Sequence, residues 1–236
     1  MTPVRTPSGS VAVLFSGGLD SAVLLADACA RAANDGTPGI IQPIYVSAGL
    51  AWEQTERAAA ARLLRVPPYA GCTLPLVSLT VDMRDVYPPS HWAVRGAAPA
   101  YDTPDEDVYI EGRNIVLLSK AAVYMARSGL ERVLMGSLAG NPFPDATDAF
   151  FAAMGQALSL GLGVPIAIEA PFGSMHKADV IRLGRSLGVP LELSISCMQP
   201  SGARHCGRCS KCRERADAFR EAGGADPAAG SGSGLS

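Results

Sequence analysis

The strongest constraint on this chain lies near its start. An apolar run at residues 11–15 passes straight into Ser16-Gly17-Gly18-Leu19-Asp20-Ser21 and then into a helical pattern over 21–33. A buried strand that ends in two glycines and restarts as a helix is a place where main chain can wrap an anion. Glycine allows close approach, successive N–H groups form a concave nest, and the helix N-terminus adds free donors and the positive end of its dipole. The pattern that follows supplies the sheet such a loop needs. Apolar strands are expected at 40–48, 74–81, 132–136 and 164–170, and helices at 52–65, 114–128, 146–160 and 177–187. A parallel pair needs a crossover, and crossover helices hide both faces of the sheet. Strands apolar on both faces, alternating with helices, therefore specify an α/β doubly wound parallel sheet. Pro43 has no N–H for a ladder, so the second strand is expected to be bulged or partly paired.

Composition sets the limits. With 236 residues, 48% apolar and 18% charged, the chain can bury one sizeable core with a small appended module, and it is too apolar for a disordered protein. Its apolar runs all stop short of the roughly 18 residues a membrane span requires. Twenty basic against 22 acidic residues leave a net charge of -2, which gives no general footprint for nucleic acid. Residues 1–10 lack the basic start and apolar stretch of a secretory signal, so the cytoplasm is the expected compartment. Cys29 and Cys72 stand alone in apolar surroundings and are expected as core thiols of a reduced protein. The division expected is an α/β domain over 1–193, a cysteine-rich module with a last helix at 213–222 inside 194–222, and a flexible tail over 223–236. Residues 85–111 read as an irregular stretch, either a lid carrying His91 and Trp92 or a disordered loop. Its acidic run Asp102, Asp105, Glu106 and Asp107 reads as solvated.

Within the loop, Ser16 and Ser21 offer hydroxyl donors. Asp20 is the unusual member, since a carboxylate beside phosphates repels them unless a divalent cation such as Mg²⁺ bridges the two; the alternative is a simple helix cap. The hexapeptide has neither the lysine of a Walker loop nor the third glycine of a dinucleotide fold. It resembles instead the PP-loop of the ATP pyrophosphatases. That resemblance implies that Leu14, Phe15, Ser16, Gly17, Gly18, Leu19, Asp20 and Ser21 hold ATP by its β and γ phosphates and leave the α-phosphorus open. A substrate oxygen is then adenylated and pyrophosphate departs.

Near the other end, Cys197, Cys206, Cys209 and Cys212 read C-x8-C-x2-C-x2-C, four thiolates in a span that can close on one ion. Four sulfurs with no open position describe a structural zinc site, and an iron–sulfur cluster is the competing reading. His205 is read as a neighbour rather than a ligand. Arg204, Arg208, Lys211, Arg213 and Arg215 make the module locally basic, read first as compensation for the thiolates and second as a nucleic-acid contact.

A PP-loop at the start and this cysteine pattern at the end resemble the 7-cyano-7-deazaguanine synthase family over nearly the whole chain. Gly112-Arg113-Asn114 looks like its P-G-R-N segment with Glu111 in place of proline, and His176-Lys177-Ala178-Asp179 through Gly184 looks like its S-K-x-x-I-x-L-G segment. The resemblance implies that Arg113 and Asn114 help to bind the nucleotide, that Lys177 joins Asp20 and Ser21 in catalysis, and that ATP and ammonia convert a deazapurine carboxylate to an amide and then a nitrile. Two stretches depart from the family. Around Tyr45 to Glu53 only Gly49 matches the segment after the second strand, and Ala146 and Thr147 stand where the family has the cysteine and arginine of its deazapurine-recognition segment. A changed acceptor, for instance a protein amine, is therefore the first alternative, and a non-catalytic nucleic-acid-binding zinc protein the second. The oligomeric state is left open, a homodimer included.

Overall fold

The computed structural model describes residues 9–34 and 39–229. Most of the N-terminal segment read for a signal, and the last part of the expected tail, lie outside the described residues.

Among the described residues, five strands form one sheet in the order β3-β2-β1-β4-β5, every pair parallel. They are β1 (Val11–Leu14), β2 (Ile41–Ser47), β3 (Val77–Thr80), β4 (Arg132–Leu134) and β5 (Ala167–Glu169). The doubly wound sheet expected from the alternation is thus present, with each strand trimmed at its ends. Among the described residues, seven α-helices connect and flank them: α1 (Leu19–Asn34), α2 (Glu53–Leu63), the single turn α3 (Trp92–Arg95), α4 (Arg113–Ser128), α5 (Asp148–Leu162), α6 (Lys177–Ser186) and α7 (Ser210–Glu221). Strand periodicity sorts the core into two layers. Val11, Val13 and Phe15 point into one layer with α1 and α6, while Ala12 points into the other with Leu118, Ala122 and Phe151.

Pro43 pairs with Val13 on one side, but on the other the ladder to β3 starts one residue later, at Ile44 opposite Val77. The Gln42 side chain fills the gap by donating to the carbonyls of Pro43 and Pro75. Partial pairing is the outcome, because a missing N–H can be covered where the neighbouring strand has not yet begun.

Two expectations are corrected here. Cys29 and Cys72 are not free core thiols: they form a disulfide with Cα atoms 5.9 Å apart. They are 43 residues apart in sequence, and only the return of the chain after α2 onto α1, fixed by Tyr69 donating to the Ala22 carbonyl, brings them together. They therefore lend no support to a reduced protein. Residues 85–111 are also structured. A third apolar cluster gathers Tyr87, Ala93, Val108 and Ile110 with Trp52, Ile195 and the buried cysteines. A backbone bridge joins Ala100 to Cys209, so the stretch is stitched to the cysteine module. Within the expected tail, residues 223–229 fold back, and Asp226 takes a bidentate ion pair from the fully buried Arg215.

Candidate functional site

β1 is the point where the strand order reverses, with β2 on one side and β4 on the other. In an open parallel sheet the crevice at the carboxyl ends of those strands is where ligands bind. The S-G-G-L-D-S loop leaves β1 there and closes on itself. Gly18 N–H donates to Ser16 Oγ at 3.1 Å, Ser21 Oγ donates to the Gly18 carbonyl at 3.0 Å, and the two hydroxyls lie 3.2 Å apart. Gly17 has φ +76°, and a Cβ on it would stand 2.7 Å from the Ala60 nitrogen of α2. Both conformation and space demand glycine at that corner. Gly17 thus turns toward α2 and ties its carbonyl to Ile195 N–H, while Ser16, Gly18 and Asp20 face the crevice.

The crevice consists of a cleft of about 540 Å³ and an adjoining one of about 280 Å³. Leu14, Phe15 and Ser21 line the smaller, Leu19 and Lys177 the larger, and Arg113 both. Aromatic rings form the outer wall. Trp52 and Trp92 stack at 5.6 Å between centroids, and Phe143 stacks on Tyr109 at 5.1 Å. Trp92 comes from the stretch expected as a lid or a disordered loop; it is ordered and lines the larger cleft.

Charge concentrates at the loop. Lys177, first residue of α6, sits 3.3 Å from Asp20 Oδ2 and is hydrogen-bonded to Glu214 of α7, which also takes Lys211 at 2.7 Å. Asp20 Oδ1 is buried with no hydrogen-bond partner. Burial pushes the Asp20 carboxyl above its ordinary range, against the pull of Lys177. Burial also disfavours the Lys177 ammonium, yet Asp20 and Glu214 outweigh it and hold its pKa high. At Glu214 burial raises the pKa, but Lys177 and Lys211 overcome it and hold the carboxylate down at about 2. The carboxylate of Asp20 caps no backbone N–H among the described residues; its partner is Lys177.

Arg113 and Asn114 open α4, and their fates differ. Arg113 Nε is buried without a partner at the crevice. The Asn114 amide is taken up by Asp145, donating to its carbonyl at 3.0 Å, while Asn114 N–H donates to Asp145 Oδ2 at 3.0 Å. Asn114 lines the smaller cleft, but it is chiefly anchored to protein.

The four cysteine sulfurs lie within 4.8 Å of one another, those of Cys197, Cys209 and Cys212 being buried. Gln199 and Cys206 N–H donate to Cys197 Sγ at 3.3 Å each, the pattern that stabilises a thiolate. A closed set of four soft donors fits a tetrahedral metal ion. His205 Nε2 accepts from Ser196 N–H, and His205 is not part of the four-sulfur group. Of the five basic residues of the module, Arg204 and Arg208 are exposed, and the other three are engaged with the protein. Lys211 pairs with Glu214, Arg213 with Asp105 and the Thr103 carbonyl, and Arg215 with Asp226, Ser194 and the Leu191 carbonyl. These three cations answer carboxylates and carbonyls rather than the thiolates.

Comparison with known proteins agrees with this arrangement. The family described as "Queuosine biosynthesis protein QueC" matches residues 90–223. The 7-cyano-7-deazaguanine synthase of Anaeromyxobacter dehalogenans is 32% identical over 96% of this chain and 98% of its own length. The chain belongs to the QueC family. It is an ATP-dependent ligase of that family, on the PP-loop fold. The synthase of Caldicellulosiruptor bescii is 38% identical over 53% of this chain and 58% of its own. Among solved structures, the U34-tRNA thiolase NcsA from Methanococcus maripaludis, with its [4Fe-4S] cluster, shares the fold at a TM-score of 0.51 and 12% identity, covering 92% of this chain and 68% of that one.

Against that family background the departing segments gain a structural account. Glu53, at the start of α2, is buried and gathers Ser47 Oγ, Ala48 N–H at 2.6 Å and Gly49 N–H at 3.3 Å, so it closes the β2–α2 loop from within. Thr147 caps α5 by accepting from Phe150 N–H. Sequence reasoning passed over four carboxylates that shape the QueC-family site here: Glu53, Glu56, Asp145 and Glu214. Each lies far in sequence from the group it serves or looks like ordinary helix surface, and no local spacing marks it.

Proposed function

We propose that the protein joins ammonia to a 7-deazapurine carboxylate at the expense of ATP, first as an amide and then as a nitrile, releasing AMP and pyrophosphate at each step. The observation that carries this reading is the Asp20–Lys177–Glu214 array at the open face of a self-closed phosphate loop. Main-chain donors of 16–21 and the α1 N-terminus receive the β and γ phosphates, and the Lys177 ammonium faces the charge that grows on departing pyrophosphate. In the first step a carboxylate oxygen attacks the α-phosphorus, the bond to pyrophosphate breaks, and ammonia then displaces AMP from the acyl carbon. In the second, the amide oxygen is adenylated in the same way and AMP leaves as the nitrile forms. The stacked tryptophans and Phe143 offer apolar faces for flat rings.

Two metals belong to this proposal. The unpartnered Asp20 Oδ1 suits Mg²⁺, which when bound neutralises charge on the departing pyrophosphate. Zn²⁺ suits Cys197, Cys206, Cys209 and Cys212, where its binding energy is folding energy. The division into an α/β unit over 1–193 and a zinc module over 194–222, and a cytoplasmic setting, are parts of the same reading. A changed acceptor is the second reading, favoured by one observation: the Thr147 hydroxyl is engaged as a helix cap and Ala146 has no polar side chain, so neither reads a ring edge.

Mass spectrometry of products from ATP, ammonium and 7-carboxy-7-deazaguanine tests the proposal. AMP with amide and then nitrile is the expected result. AMP with no product from this carboxylate would favour the changed acceptor, and ADP with phosphate would overturn the loop assignment.

A further inference from the structure

The chemistry just proposed leaves one requirement unmet. When ammonia attacks an acyl adenylate, the C–N bond forms as a cationic nitrogen that must lose a proton before AMP departs with the electron pair of its C–O bond. When an adenylated amide collapses to a nitrile, an N–H proton must again leave as the C–O bond to AMP breaks. Both halves of the reaction therefore need a base beside the same nitrogen, and Asp20, Lys177 and Glu214 are committed to one another at the phosphate end.

Another carboxylate stands apart from that array. Glu56, one turn into α2, lines both the larger and the smaller cleft, so it sits at their junction. Its Oε2 accepts a 2.8 Å hydrogen bond from Tyr45 Oη, and Tyr45 is buried at the end of β2. That bond holds the carboxylate in place while the half-buried residue lines the crevice. We propose that Glu56 is the general base that accepts the nitrogen proton in both halves of the reaction, with Tyr45 as its positioning residue. This inference rests on the adenylation reading. The proton passes from nitrogen to the Glu56 carboxylate and from there to water, while AMP carries away the oxygen.

The surroundings of Glu56 suit a base that works near neutral pH. Burial pushes its carboxyl above the ordinary range; Arg113 on α4, Tyr45 on β2 and the Trp52 side chain pull it back, and Glu53 on α2 pushes it up. Arg113 brings a further asset, a buried Nε free of protein partners on the same cleft wall.

The test uses the full chain and three readouts: carboxylate-dependent ATP–pyrophosphate exchange without ammonia, amide formation from ammonium, and hydroxamate formation with hydroxylamine, whose adduct nitrogen is more acidic and gives up its proton to water more readily. In Glu56→Gln, exchange should stay within about threefold of wild type, since adenylation does not use the base, while amide formation falls by about 10² or more. Hydroxamate formation should be affected far less than amide formation. Amide formation within a few-fold of wild type would overturn the role of Glu56, as would an equal loss of exchange and amide. Absence of exchange in the wild-type protein would instead overturn the adenylation reading, and the inference with it. Tyr45→Phe supplies an independent arm if Glu56→Gln does not fold. Removing the hydrogen bond that lowers the Glu56 pKa should move the acid limb of kcat/KM for amide formation to higher pH and leave the exchange profile in place. An unmoved limb would overturn the proposal.

Discussion

The phosphate loop and the cysteine module are both short motifs, yet they are held in opposite ways. The loop is closed mainly from within: Ser16, Gly18 and Ser21 bond to one another inside six residues, with outside help from the contact of Gly17 with α2 and Ile195 and from Lys177 on Asp20. The module is held from outside. Pro99, Ala100, Thr103 and Asp105 reach it from the 85–111 stretch, and Asp226 reaches it from beyond α7. Glu214 is where the two meet, since it leaves the module's helix and ends on the lysine that faces Asp20. A motif closed by its own residues keeps its shape through local geometry. One assembled from distant segments depends on every segment arriving, so damage there should spread to the fold, whereas damage in the loop should stay in the chemistry.

The largest expected effect follows from that contrast. Cys209→Ser should lose the metal and most soluble protein together, because binding at such sites contributes on the order of 10 kcal/mol to folding. Elemental analysis should find about one zinc per chain in the wild type; iron, or a soluble and fully metallated variant, would break the comparison. Next is Arg215→Met. It leaves Asp226 buried without its cation, and breaking such a pair costs about 3–5 kcal/mol, read as a lower midpoint in denaturant with ATP affinity little changed. Asp20→Asn is the converse case. Turnover should fall on the order of 10²-fold while the melting temperature and ATP binding hold, because a contact made to developing charge counts mainly in the transition state. A turnover near wild type would make Asp20 merely structural.

The smallest effect sharpens the link between the regions. The Glu214 pKa is held at about 2, below its unfolded value, so its pairing with Lys177 and Lys211 stabilises the fold above the usual carboxylate range. That contribution is lost as pH falls from the unfolded value toward 2. Glu214→Gln should therefore flatten the acid side of the stability–pH profile, with its cost largest near neutral pH, smaller at pH 3 and gone only below about pH 2. A variant equally weaker at pH 7 and pH 3 would refute the assignment.

Much of this was legible in the chain. The strand–loop–helix start, the order of strands and helices and the four-cysteine spacing are local patterns, and local patterns survive in a one-dimensional record. Lys177, expected beside Asp20 from the resemblance, does lie beside it, but Glu214 as its second partner was not foreseen. What escaped was written at long range. The Cys29–Cys72 pairing, the dependence of Asn114 on Asp145 and the burial of Arg215 each join residues with no common local signal. The 85–111 stretch has no helical or strand period to betray that it packs against cysteines a hundred residues later.

The sequence by itself determined where an anion can be gripped and where a metal can be held, since both depend on residue types at fixed short spacings: glycines that permit a turn, thiols that share a donor set. Only the tertiary structure decided which carboxylates stand free and which are spent. Glu53 and Glu56 are three positions apart on one helix, yet the first is consumed by the β2–α2 loop and the second is presented at the junction of two clefts. The reason is physical. A carboxylate's chemistry is set by burial and by the donors around it, and those are supplied by β2 and α4, which come beside α2 only when the sheet has closed.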